Sequence, residues 1–125
     1  MSWEEEIGPE YITLWEKNIQ EMEKLRNFPV QRCLKPNNVT DEPPQLHGFS
    51  DGGDDAFGTC VFIRWPTSAG IDIRFVAAKA FVAPLKHKTV PKLELMGMHS
   101  MGRLMREVES ALSYNFSRKV FWTDS

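Results

Sequence analysis

The stretch 46–82, LHGFSDGGDDAFGTCVFIRWPTSAGIDIRFVAAKAFV, decides the fold. Three runs rich in β-branched and aromatic residues, 46–51, 57–65 and 71–82, are separated by the turn chemistry of 52–55 (Gly-Gly-Asp-Asp) and 66–70 (Pro-Thr-Ser-Ala-Gly). Runs of this kind joined by short turns predict an antiparallel meander. Downstream, Pro91 suits the first turn of a helix, where its missing N–H costs nothing. Leu93, Gly97, Ser100/Met101, Leu104, Val108 and Ala111/Leu112 carry an apolar stripe at helical spacing to about Tyr114. A compact apolar run, KVFWT at 119–123, then predicts a fourth strand.

Upstream, residues 9–26 place Ile12, Trp15, Ile19 and Met22 at spacings of three and four, an amphipathic helix opened by Pro9. Its apolar stripe needs a surface to cover. Pro29 to Pro44 has turn chemistry and no periodicity, so it reads as a linker. The expected organisation is an acidic helix over 1–28, a linker over 29–44 and an α/β domain over 45–125.

The 125 residues, 42% apolar and 26% charged, fit one ordinary domain with a modest core. A net charge of −2 by itself argues neither for nor against a nucleic-acid partner. The distribution is more telling: residues 1–28 hold seven Glu against three bases, leaving 10 acids and 12 bases in the body. Arg74, Lys79, Lys86, Lys88 and Lys92 form a stretch without an acid, by default a solvated face. Cys33 and Cys60 stand alone, without a CxxC pair or a His at zinc spacing, and are expected to be reduced, buried thiols. The start lacks a basic flank and an apolar core of signal-peptide type, and no apolar run approaches the ~18–20 residues that span a bilayer. An intracellular, soluble protein, cytoplasmic or nuclear, is expected.

Three acids close or open these elements: Asp51 ends strand one, Glu94 lies in the first turn of the helix and Asp124 ends strand four. If strand one runs up, the meander sends strand two down and strand three up. The helix then descends and strand four rises beside strand one, so all three acids arrive at one edge. Parallel neighbours lie about 4.8 Å apart, and the carboxyl edge of an open sheet is where ligands usually bind. Gathered carboxylates repel one another unless cations compensate. Magnesium or manganese suits oxygen ligands, and two such ions would activate water on one side of a phosphodiester and stabilise the leaving 3′ oxygen on the other.

Taken singly, each acid has an ordinary reading: Asp51 as a turn former before Gly-Gly, Glu94 as a dipole contact at a helix N-terminus, Asp124 as a terminal acid. The ordered set with its matched topology is what points to a metal site. Lys86, Lys88 and Lys92, beside Glu94, are placed to meet phosphates. His47, His87 and His99 have no spaced partner and read as structural or exposed; Trp65 and Trp122 read as core or strand-end packing.

HGFSDGGDDAFGTCVFIR (47–64), VAAKAFVAPLKHKTVPKLELMG (76–97) and VFWTDS (120–125) resemble the ribonuclease H domain of BEL/Pao-type long-terminal-repeat retrotransposon polyproteins. The likeness covers about residues 28–125. The acidic helix ending in NFPVQRCL is similar to the connection segment that follows the reverse transcriptase in those polyproteins.

The resemblance implies a ribonuclease H-like α/β fold, with Asp51, Glu94 and Asp124 as the first three members of a four-carboxylate site for two Mg²⁺ or Mn²⁺ ions. It also implies an RNA–DNA hybrid as substrate and a reverse transcriptase upstream in a longer product. In the related integrases both Asp precede the helical Glu; here Glu94 lies between them, which favours the ribonuclease H order. Two departures stand out. Gly52-Gly53 occupies the place where the family commonly has a small residue and Ser, which is expected to loosen the turn. The fifth strand, later helices and fourth carboxylate of the pattern are expected to be missing after Ser125. The alternative expectation is therefore a non-catalytic remnant that binds nucleic acid or protein, with self-association through the open sheet edge at strand four.

Overall fold

The structure, a computed structural model, describes residues 6–84 and 89–124. The chain divides between Val30 and Gln31 into two compact units.

In the first unit, α1 (Pro9–Glu23) opens with Pro9 in its first turn and passes into a short 3₁₀ helix, Lys24–Asn27. The Ile12, Trp15, Ile19 and Met22 stripe is present on α1, and all four residues are exposed.

The second unit holds β1 (Gln45–Gly52), β2 (Ala56–Thr67), β3 (Gly70–Val82), α2 (Val90–Ala111) and β4 (Arg118–Thr123). The sheet order is β3-β2-β1-β4. β1–β2 and β2–β3 are antiparallel, whereas β4 lies parallel to β1. This is the predicted mixed sheet. The turn between β2 and β3 depends on Gly70, whose φ of 119° belongs to a region other residues avoid. It is closed by Thr67 Oγ1, which donates to the Gly70 carbonyl at 2.9 Å.

Of the segment 29–44, read from sequence as a linker, residues 31–44 lie in the same unit as the sheet. Val39 bridges Thr67, the Thr40 N–H donates to Pro66 O at 3.0 Å and the Ser68 N–H donates to Asn38 O at 3.0 Å. Pro36 and Pro44 are buried.

Period-two alternation explains the core. In β1, Leu46, Gly48 and Ser50 are buried while His47, Phe49 and Asp51 face the other way. In β2, Val61, Ile63 and Trp65 share the buried face. α2 covers it with Met101, Leu104 and Val108 of the stripe predicted by spacing and with Met105, which that stripe did not include; the helix stops at Ala111 rather than near Tyr114. Tyr114 instead packs edge-on against Trp65, with ring centroids 5.1 Å apart. Each fully buried aliphatic side chain in this layer contributes about 1.5–3 kcal/mol.

In β3 a bulge lies opposite the Val61/Phe62 step: Val61 pairs with Ala77 and Phe62 with Phe75, which leaves Val76 as the extra residue. Both cysteines are free, but Cys33 is exposed and Cys60 half-buried, so the expected burial of both thiols is corrected. Cys33 lies in the irregular segment before the sheet, and Cys60 lies on the face that α2 leaves open. Among the described residues no helix is long and apolar enough to cross a membrane.

Candidate metal and nucleic-acid site

The carboxyl ends of β1 and β4 and the N-terminus of α2 meet at one edge of the sheet. Phe49 pairs with Trp122 and Ser50 with Thr123 in the parallel register. Carrying that register one residue further sets Asp124 beside Asp51, on the face of the sheet opposite α2. Both acids are exposed. They line the same open groove of about 800 Å³, with Phe49, Thr59, Cys60 and Trp122 among its walls.

Glu94 approaches from the other side. Leu93 is buried against the sheet, and Glu94, half-buried, follows it as the fifth residue of α2, so it opens the second turn and not the first turn expected from sequence. A Cβ on Gly52 would lie 2.8 Å from Glu94 N and 2.9 Å from Leu93 C, so the strand end and the helix start are in backbone contact there. Gly52 therefore closes a gap rather than loosening a turn; the neighbouring Gly53 N–H donates to Ala56 O at 2.9 Å and fixes the connection to β2.

The backbone thus brings Asp51 next to both Asp124 and the Glu94 turn. The Glu94 side chain is not part of the groove wall, and among the described residues no three His, Cys, Asp or Glu side chains are grouped closely enough to hold a metal ion. The donor chemistry nevertheless fits a hard divalent ion, since the three residues offer carboxylate oxygens alone. Burial pushes the Cys60 thiol up from its ordinary value, so it stays protonated at neutral pH.

The basic stretch divides in the structure. Arg74 pairs with Asp72 at 2.7 Å and Lys79 with Glu107 at 2.7 Å, so both are engaged within the fold. Lys92 is exposed in the first turn of α2. Lys86, Lys88 and His87 lie outside the described residues.

Sequence reasoning missed the aromatic side of the groove. Trp122 is 49% exposed, stacked on Phe49 with an interplanar angle of 9° and on His47 with one of 15°. Trp65, by contrast, is in the core as read. Alternation of His47, Phe49 and Asp51 on β1 was the available signal; it lacked a register with β4 to reveal the partner. His47 is structural, one of the two readings given to it from sequence: its Nδ1 accepts from Trp122 Nε1–H at 3.1 Å, and its Nε2 faces Gln45 Oε1 at 3.2 Å. That pattern assigns the neutral ring with its proton on Nε2.

Partial burial, then the charges of Arg64 and Arg118, hold the His47 pKa below 6.5. Because the folded value is depressed, the unfolded chain takes up the proton first. Stability contributed by the neutral ring is present above the unfolded value of 6.5 and is lost as pH falls from there through the folded value. The indole N–H resonance of Trp122 should titrate with a midpoint below that of a free histidine; an NMR midpoint above 6.5 would contradict the assignment.

A family model described as Pao retrotransposon-like RNaseH-like domain matches residues 1–125. No curated protein matches the chain. No solved structure matches it.

Proposed function

Because this chain belongs to the Pao retrotransposon-like family of RNaseH-like domains, we propose that it hydrolyses the RNA strand of RNA–DNA hybrids with Mg²⁺ or Mn²⁺ as cofactor. Its ribonuclease H-type fold is the mixed sheet with β1 parallel to β4. The observation that supports the catalytic reading is the parallel β1–β4 register, which pairs Ser50 with Thr123 immediately before Asp51 and Asp124, two acids that line one groove.

Divalent ions, when bound, would supply the positive charge that lets a water lose its proton near neutral pH and offsets charge on the leaving 3′ oxygen. Asp51 and Asp124 would hold them. Glu94, at the start of α2, would help position them and accept a hydrogen bond from the attacking water. The water oxygen would bond to phosphorus as its proton passes to solvent, and the bond to the 3′ oxygen would break as that oxygen takes a proton from solvent, leaving a 5′-phosphate and a 3′-hydroxyl. Lys92, with Lys86 and Lys88, would hold the backbone phosphates that dominate affinity for nucleic acid. In a longer polyprotein a reverse transcriptase upstream would deliver the hybrid.

The test is incubation of the protein with an end-labelled RNA–DNA hybrid over a range of Mg²⁺ or Mn²⁺ concentrations. RNA-strand fragments are expected, lost on chelation and restored by adding the metal back, while the DNA strand stays intact. Absence of cleavage at every metal concentration, or cleavage that persists in chelator, would overturn the proposal.

A further inference from the structure

We infer that Gly52 is a positioning residue for the carboxylate site: its missing side chain sets how closely the Leu93–Glu94 backbone near the start of α2, and with it Glu94, lies against Asp51. This rests on the metal reading above. A Cβ at Gly52 would meet Glu94 N at 2.8 Å, Leu93 C at 2.9 Å and Glu94 Cα at 3.0 Å, all backbone atoms of a helix whose next residue toward the N-terminus, Leu93, is anchored in the core. Backbone cannot swing aside as a side-chain tip can. One turn further, Gly97 continues the seam, with its own virtual Cβ 3.4 Å from Asp51 O and 3.6 Å from Ser50 Cβ.

Two other glycines of the second unit make the contrast. At Gly53 the nearest atom to an added Cβ is Ala56 O at 4.0 Å, so of the Gly-Gly pair only the first is sterically required. At Gly48 an added Cβ would meet Met105 Sδ at 2.5 Å and Met101 Cγ at 2.9 Å; these are flexible thioether chains that can rotate away, at a cost in packing. A methyl at Gly52 must instead drive the helix start back by roughly 0.5 Å, about the tolerance within which a functional constellation has to be held. Gly52 thereby converts helix packing into carboxylate spacing.

The test is Mn²⁺ binding, read from the electron paramagnetic resonance signal of the free ion, together with thermal unfolding in chelator. All proteins carry Gly102→Ala, a helix-favouring change whose methyl meets nothing within 4 Å. Gly52→Ala is expected to weaken Mn²⁺ binding about tenfold or more, the range found when groups that orient metal ligands are lost. Gly53→Ala and Gly48→Ala should bind as the parent does, although Gly48→Ala melts at a lower temperature. Should Gly52→Ala not fold, Gly97→Val opens the same seam from the helix side and is expected to weaken binding likewise. Unchanged Mn²⁺ affinity in the seam variants, or an equal loss in Gly48→Ala, would overturn the inference and leave the metal reading standing. A parent protein that binds no Mn²⁺ would overturn both.

Discussion

Asp51→Asn is expected to reduce hybrid cleavage by at least about 100-fold, the scale on which loss of one group that stabilises developing charge is felt, while leaving the fold intact. Asn keeps the size and shape of the side chain and removes only its negative charge. Asp51 is exposed, at the end of β1, and substitutions at such positions change stability by no more than about 0.5 kcal/mol. Losing one of two adjacent carboxylates also relieves repulsion toward Asp124, so the melting temperature in chelator should hold or rise slightly. Rate and melting temperature therefore separate. Measuring both on one preparation decides the matter: cleavage that survives the substitution removes Asp51 from the chemistry, and a parallel collapse of stability makes the loss uninformative about charge.

Ile63→Ala carries the largest expected effect on stability. Ile63 is 0% exposed and sits on β2, between its register partners Leu46 on β1 and Arg74 on β3, with its side chain in the cluster that α2 covers. Truncating a buried Ile leaves a cavity that a strand hydrogen-bonded on both sides cannot close, and the cost is about 3–4 kcal/mol. For a domain of this size each kcal/mol shifts the midpoint by roughly 4–8 °C, so a drop well above 10 °C is expected. Ile73→Ala provides the contrast, since Ile73 is on the open face and 54% exposed. Calorimetry that found similar small shifts for the two would mean that the layer between β2 and α2 is not the principal source of stability.

The strands and the second helix were legible because their signals are local. Alternation in 46–51 and 57–65 and the helical stripe from Leu93 to Val108 each fit within a short window. The parallel placement of β4 beside β1 was legible as well, since a meander followed by one helix leaves a rising strand little choice. What sequence hid was contact between distant segments. Pro-rich 31–44 reads as a linker because nothing local tells that Val39 will bridge Thr67. Trp122 reads as strand-end packing, but only the register shows that it packs on Phe49. Gly52 looks like part of a loose turn until α2 is found against it. The chain order of the three acids was legible as positions along β1, α2 and β4; the orientation of Glu94 depends on side-chain torsions, which no sequence periodicity encodes.

The bulge at Val76 has one more implication, for how β3 tolerates changes in length. Ile71, Ile73 and Phe75 on one side of it and Ala78, Ala80 and Val82 on the other share a face because one supernumerary residue resets odd to even. The strand therefore contains its own phase correction. Removing Val76 would restore plain counting and keep every other side chain on its present face. A single-residue deletion between Ile71 and Arg74 would instead invert the segment between the gap and the bulge. Insertions and deletions that survive in relatives should therefore concentrate at this one position.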